Sequence, residues 1–153
     1  MAHYYHVCFV VPDLEVTMRD LTAAAGLSWG RVVEAEVEGA VVRVVYSDGP
    51  AHAELVQAPS GGSWGDTSRA RFHHIGFWTS DLAAGADRLT ACGFPEVAPF
   101  GRAAEGPWAY FAVDSIGGHV ELVDAAMRGT DAVSWIPDVP AAEVIDEHVH
   151  SCS

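Results

Sequence analysis

The chain has 153 residues, of which 50% are hydrophobic, enough for one ordinary domain or two small packed modules. Its formal net charge is −13 and all eight basic residues are arginines, so its surface repels phosphate backbones and anionic membranes. No apolar run approaches the roughly 20 residues of a membrane-spanning helix. We therefore expect a protein that binds neither nucleic acid nor membrane.

Three cysteines, Cys8, Cys92 and Cys152, are scattered without the spacing of a zinc finger or of a disulfide framework. The N-terminus also lacks the basic region, the apolar core and the cleavage site of a signal peptide. Both features predict a cytoplasmic location.

An internal repeat organises the sequence. Four residues near the N-terminus, His6, Phe9, Asp13 and Leu14, return 68 positions later as His74, Phe77, Asp81 and Leu82. Glu54 and Glu121 each begin a Glu-Leu-Val triplet and are 67 positions apart. Because this period is longer than that of a solenoid repeat, we interpret it as a duplication in which each copy is a supersecondary module.

The first copy predicts the element order β-α-β-β-β. Its predicted elements are a strand over 4–11, a helix that Asp13 caps and Gly26 ends, a hairpin over 31–38 and 41–47, and a strand over 51–58. The second copy predicts the same order. Its elements are a strand over 73–79, a helix between Asp81 and Gly93, and strands over 96–100, 108–113 and 119–124.

The division that follows is a first module at 1–58, a linker at 59–71, a second module at 72–124 and a C-terminal extension at 125–153. The fold class is α+β, with two tandem βαβββ modules. Residues 125–136 suit a short helix, and we interpret His148, His150 and Cys152 as part of a solvated end rather than as a ligand cluster.

Each module carries one histidine on its first strand and one glutamate on its last. Side chains alternate along a strand, so His6 shares a face with Tyr4 and Cys8, and His74 shares a face with Gly76 and Trp78. If the first and last strands of a module are neighbours, two imidazoles and two carboxylates converge. That set, His6, Glu54, His74 and Glu121, is a mixed nitrogen and oxygen site for a divalent transition metal.

Structural roles compete with this interpretation. A single histidine on a strand is more often a core or surface residue than a ligand, and one wet face of an antiparallel sheet would satisfy either glutamate. The presence of the pair in both copies favours a metal. We interpret His73, on the opposite face from His74, as structural. The remaining candidates for a substrate pocket are His52, His119, Trp78 and Cys8.

At these residues the sequence resembles the vicinal oxygen chelate superfamily, which includes glyoxalase I, methylmalonyl-CoA epimerase, extradiol dioxygenases and fosfomycin- and bleomycin-resistance proteins. The stretch Phe72-His73-His74-Ile75-Gly76-Phe77 looks epimerase-like, although the epimerase usually has glutamine where Glu54 stands. The resemblance implies an incomplete, curved β-barrel with helices outside, built around one ion (nickel, cobalt, zinc, manganese or iron). The carried-over ligands are His6, Glu54, His74 and Glu121.

Four protein ligands on a six-coordinate ion leave about two positions, which suits a substrate that chelates through two adjacent oxygens. We therefore expect a metal-dependent lyase or isomerase that stabilises the enolate of an α-oxygenated carbonyl compound, with Glu121 or Glu54 as the base. One alternative is a drug- or natural-product-binding resistance protein of the same fold; another is a structural dimerisation module. A homodimer is expected, and the barrel closes either within one chain or across that dimer.

Overall fold

The computed structural model describes residues 2–49, 52–97 and 100–128. Its strands and helices are β1 (Ala2–Val10), α1 (Leu14–Ala25), β2 (Val33–Val37), β3 (Ala40–Tyr46), β4 (His52–Gln57), β5 (Arg71–Thr79), α2 (Leu82–Ala91), β6 (Trp108–Val113) and β7 (Gly118–Asp124). Short 3-10 turns lie at Gly62–Trp64, Asp114–Ile116 and Ala125–Met127. Neither helix in this part of the chain has the length and hydrophobicity needed to cross a bilayer.

All seven strands form one curved sheet in the order β2-β3-β4-β1-β5-β7-β6. Within each half the first and last strands are parallel neighbours, β1 with β4 and β5 with β7. The halves join where β1 and β5 pair antiparallel at the centre of the sheet. The predicted α+β class and incomplete, curved barrel are confirmed, and the join between halves lies within one chain.

The two helices begin in the same way, as the repeat predicts. The carboxylate of Asp13 accepts a hydrogen bond from the Val16 amide at 2.8 Å, and that of Asp81 accepts one from the Ala84 amide at 2.9 Å. These bonds satisfy amides that lack a partner in the first helical turn. Helix α1 ends at Gly26, which adopts the left-handed conformation (φ 71°) that glycine accepts without strain.

Apolar side chains form three clusters, two beneath the helices and one on the opposite face of the sheet. Leu14 of α1 packs with Val45 and Leu55 on the outer face of the first half. Leu82 and Leu89 of α2 pack in the same way on the outer face of the second half. The third cluster lies on the concave face and includes buried residues of both halves. Since the helices cover only the outer face, the concave face is left to form a site.

One predicted strand is present only in part. Of the strand expected over 96–100, the structure shows an isolated bridge from Glu96 to Phe111 and a hydrogen bond from the Val97 amide to the Tyr110 carbonyl. The Ala112 amide also donates to the Pro95 carbonyl at 3.0 Å, but Pro95 has no amide hydrogen to give a bond in return. Residues 98–99 lie outside the described residues.

Other predictions concern the linker and the tail. Strand β5 begins at Arg71, the last residue of the predicted linker, and Trp64 within that linker is buried rather than exposed. A helix is predicted over 125–136, but the structure describes this stretch only as far as Arg128. Within that part it shows a 3-10 turn at Ala125–Met127. His148, His150 and Cys152 lie outside the described residues, and the division into modules stays an interpretation of the sequence.

The alternation predicted for β1 fails at its N-terminal end. Tyr4 was predicted to share the inner face with His6, but its side chain is 47% exposed and contacts Phe77, whereas Tyr5 is buried. The pairing of β1 with β5 shifts register between Tyr4 and His6. An irregularity of this kind inserts a residue and reverses the facing of the side chains beyond it.

Candidate metal centre

Strand register brings the four predicted ligands to one place on the concave face. Residues directly opposite each other on neighbouring strands share a face of the sheet. Cys8 lies opposite both Glu54 on β4 and His74 on β5, and Gly76 lies opposite both His6 on β1 and Glu121 on β7. All four predicted ligands therefore face inward, and all four are at most 7% exposed.

The four side chains meet through one atom each. Nε2 of His6 and Nε2 of His74 are 2.7 Å apart. Oε2 of Glu54 lies 3.2 Å from each of these nitrogens. Oε2 of Glu121 lies 3.3 Å from the His6 nitrogen and 3.4 Å from the His74 nitrogen. The structure thus brings together the whole predicted set, and each member contributes to the cluster through a single donor atom.

The spacing and the chemistry of these atoms fit a cation. Ligand bonds of about 2.1 Å place neighbouring donor atoms about 3.0 to 3.4 Å apart in octahedral or tetrahedral geometry, close to the observed spacing. Two Nε2 atoms 2.7 Å apart cannot both direct a hydrogen at each other. Both Oε2 atoms are buried and have no hydrogen-bond donor among the described residues. A divalent ion would satisfy all four lone pairs.

Charge in the cluster also favours a cation. Burial alone raises the pKa of a carboxyl group, but the neighbouring imidazoles hold the pKa of Glu54 well below its usual range and lower that of Glu121 to about 2. Burial likewise lowers the pKa of His6, yet Glu54 and Glu121 raise it above its ordinary value. Both carboxylates are therefore ionised, and they carry the two negative charges that a divalent ion would balance once it displaces the protons of the imidazoles.

His74 has a similar balance. Burial lowers the pKa of His74, whereas Cys8 and then Glu121 raise it well above its ordinary value. The pKa of the Cys8 thiol is itself raised, first by burial and then by Glu54, so this side chain stays a neutral thiol. We therefore attribute the higher pKa of His74 to the carboxylate of Glu121.

Two tyrosines, to which the sequence analysis assigns no role at the glutamates, support them from neighbouring strands. Tyr46 lies opposite Glu54, and Tyr110 lies opposite Glu121. The Tyr46 hydroxyl donates a hydrogen bond to Oε1 of Glu54 at 2.8 Å, which leaves Oε2 for the centre. Burial raises the pKa of Tyr110 well above its usual value, and the charge of Glu121 and a hydrogen bond to it raise the pKa further. The spacing from tyrosine to glutamate differs between the copies, so the repeat offset does not reveal them.

His73 lies on the inner side of the sheet, contrary to the sequence-based interpretation. Cys8 pairs with His74 and Phe9 pairs with Phe72, so His73 is an extra residue in β5. Such a bulge lets two consecutive side chains point to one face. Nδ1 of His73 lies 2.8 Å from Nδ1 of His74, on the side of the ring away from the other donors. Burial lowers the pKa of His73 to about 3, so it remains neutral and able to accept a hydrogen bond.

The four further pocket candidates lie behind the cavity wall. His52 is buried, with Nδ1 2.5 Å from the Ser47 carbonyl, and Cys8 is fully buried. Trp78 packs on Tyr5 in the core at 4.1 Å between ring centroids. His119 places Nδ1 3.1 Å from the carbonyl of His73. None of the four is among the residues that line the cavity above the cluster.

Two sets of three buried side chains in the described residues are close enough to hold an ion. One is His6, Glu54 and His74, which belongs to the predicted site. The other is Cys8, His73 and His74. Because burial keeps Cys8 protonated and a thiolate is the form that ligates metals, the first set is the better candidate.

A cavity of about 220 Å³ opens above the cluster. Glu54, His73, His74 and Glu121 form its floor, and its walls come from both halves of the sheet. Trp64, from the predicted linker, and Phe100 stand beside the ring of His73 and close one side. The donors thus lie at the bottom of a largely apolar pocket.

Residues 5–111 match the model of the glyoxalase/bleomycin resistance protein/dioxygenase superfamily. The chain belongs to this superfamily. The match covers more than half of the sequence and confirms the resemblance stated above. A comparison with curated proteins gives no match.

Solved structures with the superfamily fold resemble the chain at low identity. Methylmalonyl-CoA epimerase from Mycobacterium tuberculosis is 20% identical, with a TM-score of 0.60 over 80% of this chain and 87% of that one. A Streptomyces coelicolor methylmalonyl-CoA epimerase variant in complex with 2-nitronate-propionyl-CoA is 21% identical, with a TM-score of 0.62 over 82% and 99%. A mutant of 4-hydroxymandelate synthase from Streptomyces coelicolor is 11% identical, with a TM-score of 0.62 over 80% and 48%. These similarities show the fold.

Proposed function

We propose that the chain is a divalent-metal-dependent lyase or isomerase that acts on an α-oxygenated carbonyl compound. The observation that carries this proposal is the convergence of four buried donor atoms, two imidazole nitrogens and two carboxylate oxygens, at the floor of a cavity. Nickel, cobalt, zinc, manganese and iron all accept this donor set. Membership of the superfamily is consistent with such chemistry.

In the proposed site His6 and His74 serve only as ligands. A divalent cation held by the four donors would act as a Lewis acid that lowers the cost of forming an enolate. Glu54 would bind the ion through Oε2, because the Tyr46 hydroxyl donates a hydrogen bond to its Oε1. Because this hydrogen bond holds Glu54 in place as a ligand, we assign Glu121 the transfer of the substrate's α-proton.

Metal binding is tested first, because the rest depends on it. Protein purified without an affinity tag is titrated with Co²⁺, and we expect one equivalent to bind with the absorption of a nitrogen- and oxygen-ligated ion. His6→Ala and His74→Ala should each abolish this signal, whereas His3→Ala, at an exposed position of the same strand as His6, should not change it. Equal signals in all four proteins would refute the site.

The role of Glu121 is tested separately from metal binding. A glutamine at this position still offers an oxygen ligand but cannot accept a proton at neutral pH. Glu121→Gln should therefore retain much of the Co²⁺ affinity and lose deuterium exchange at the α-carbon of a hydroxyketone. Exchange that continues at the original rate would remove Glu121 as the base and leave Glu54 to be tested in the same way.

A second candidate is a small-molecule-binding protein of the same fold. Trp64, Phe100 and Trp108 in the cavity wall favour it, since aromatic side chains provide much of the contact area in ligand sites. In that case ligand affinity should be unaffected by EDTA. A loss of affinity on chelation would count in favour of the metal-dependent enzyme. Assembly as a homodimer is also a proposal, and the mass of the protein in solution tests it.

A further inference from the structure

We propose that the cavity takes an uncharged substrate with an apolar body of about one ring, rather than a carboxylate or a coenzyme A thioester. The proposal rests on the proposed function for one end of the substrate, where two adjacent oxygens meet the donor cluster. The walls of the cavity determine the size and polarity of the other end of the substrate. Size, polarity and charge of the cavity each contribute to this inference.

The size of the cavity suits one ring. A cavity of about 150 Å³ in another protein binds benzene, so the volume of about 220 Å³ found here accommodates a ring with a few additional atoms. A coenzyme A moiety is several times larger. It would have to extend over the outer surface, where the formal net charge of the chain, −13, repels its phosphates.

The walls of the cavity above the donor cluster consist mainly of aliphatic and aromatic side chains. Val37, Val42, Val44 and Val56 line the side formed by the first half. Trp64, Phe100 and Trp108 line the side formed by the linker and the second half. Beyond the donor cluster, the polar side chains among the lining residues are Glu36, which is exposed on β2, and Tyr110, which lies opposite Glu121. A polar body in this space would lose its hydrogen bonds to water, whereas an apolar body would gain from burial.

Charge in the cavity opposes an anionic substrate. Among the described residues, no arginine lines it, and the chain has no lysine. The guanidinium of Arg71 donates to the Trp64 carbonyl behind the wall, and that of Arg128 stacks on Trp78 in the core. Two ionised glutamates would balance the charge of a divalent ion. A carboxylate substrate would therefore find no net positive charge to compensate for its desolvation.

The test compares probes that differ in their ring, their charge or their size. The probes are 2-hydroxyacetophenone, hydroxyacetone, mandelate and methylmalonyl-CoA. The first two share a neutral hydroxyketone and differ in the ring; mandelate keeps the ring and adds a charge. Dissociation constants are measured for the Co²⁺-loaded protein from its visible absorption and from tryptophan fluorescence. We expect 2-hydroxyacetophenone to bind at least about tenfold more tightly than hydroxyacetone, because its ring is buried, and more tightly than mandelate or methylmalonyl-CoA.

Two isosteric variants test the wall itself. Val44 lines the cavity and is 6% exposed, whereas Val41 on the same strand is 60% exposed and faces away from it. Val44→Thr adds a hydroxyl to the wall and should weaken 2-hydroxyacetophenone binding about fivefold with little effect on hydroxyacetone. Val41→Thr should change neither affinity. Thermal unfolding of both variants checks that the fold is retained.

The outcomes separate this proposal from the proposed function. Tighter binding of mandelate or methylmalonyl-CoA to the loaded protein would overturn the substrate class and leave the metal-dependent function intact. If Co²⁺ does not bind, the proposed function fails, and the same probes are compared on the metal-free protein. A preference there for 2-hydroxyacetophenone over both hydroxyacetone and mandelate would still support the substrate class. The lack of that preference would overturn it.

Discussion

The two halves of the molecule present the same donors in different surroundings. His6 packs against Gly76 of the other half, so its ring lies against bare backbone. His74 lies opposite Cys8 of the other half and has His73 beside its Nδ1 atom. Cys8 and Gly76 are equivalent positions of the repeat, 68 residues apart. The donors recur at the repeat offset, whereas the residues that contact the two histidines differ between the halves.

The difference concerns how each imidazole is oriented. Metal-bound histidines usually donate their second ring N–H to a neighbouring group, which fixes the orientation of the ring. His74 has such a neighbour in His73. Nδ1 of His6 is buried without a hydrogen-bond partner among the described residues. We infer that close packing orients His6 and that hydrogen bonding orients His74.

The largest expected effect tests whether both halves contribute to one ion. The neighbouring carboxylates raise the pKa of His6 and of His74, so protons compete with the metal at these nitrogens. Affinity should therefore be lost as the pH falls. Between pH 7.5 and 5.5 we expect the Co²⁺ affinity to decrease at least about 100-fold, at about tenfold per pH unit for each proton displaced.

Calorimetry in buffers with different ionisation enthalpies counts the protons released on binding. A count above one shows that both imidazoles lose protons and that both halves ligate the ion. A count near zero, with an affinity independent of pH, would exclude both histidines as ligands.

The next effect concerns packing at His6. A Cβ atom at Gly76 would lie 2.7 Å from Nδ1 and 2.8 Å from Nε2 of His6, closer than real contacts allow. Gly76→Ala should therefore displace the imidazole and reduce Co²⁺ affinity about 100-fold. Gly106→Ala is the matched control, since an added Cβ there meets nothing within 4 Å. If Gly76→Ala binds the ion normally in a protein with an unchanged melting temperature, His6 does not depend on this contact.

The repeat explains why so much of the site could be predicted from the sequence. A constant offset relates His6 to His74 and Asp13 to Asp81, so it predicted both helix starts and one imidazole in each half. The expected convergence of histidine and glutamate depended on one condition, that the first and last strands of each half are neighbours, and β1 with β4 and β5 with β7 meet it. The structure brings all four predicted ligands together because these features depend on local pattern and on strand alternation.

Features that depend on register could not be predicted in this way. A single extra residue in β5 turns His73 inward, and an irregularity in β1 turns Tyr4 outward. Strand periodicity assumes regular pairing, so it assigns both residues to the wrong face. The supporting tyrosine Tyr46 was missed for a related reason: its position opposite Glu54 depends on the length of the turn between β3 and β4.

The third prediction concerns His73, which lies beside Nδ1 of His74 and has no counterpart beside His6. His73→Phe keeps a ring against Trp64 and Phe100 but removes the nitrogen beside His74. Loss of an outer hydrogen-bond partner typically lowers metal affinity by about 10- to 100-fold, and we expect a value in that range. His3→Phe, at an exposed position, is the control. An affinity equal to that of the unmodified protein would show that packing orients His74 as it orients His6.

The smallest expected effect concerns Tyr46 and Tyr110, each of which lies opposite the glutamate of its own half. Tyr46 donates to Glu54, and Tyr110 stands in the corresponding place beside Glu121. Tyr46→Phe removes one hydroxyl and frees Oε1 of Glu54, so the carboxylate can rotate away from the ion. We expect a decrease in Co²⁺ affinity of about tenfold, and a similar decrease for Tyr110→Phe.

The double variant separates two ways in which the hydroxyls could act. If each tyrosine holds only its own carboxylate, the two losses add in free energy, because neither hydroxyl shares a partner with the other. If the carboxylates are coupled through the ion, the double variant should lose less than the sum, because the first substitution already loosens the common centre. Additive losses would mean that each tyrosine supports the ion independently of the other. The histidines differ in this respect, because the orientation of each depends on a residue where β1 and β5 pair.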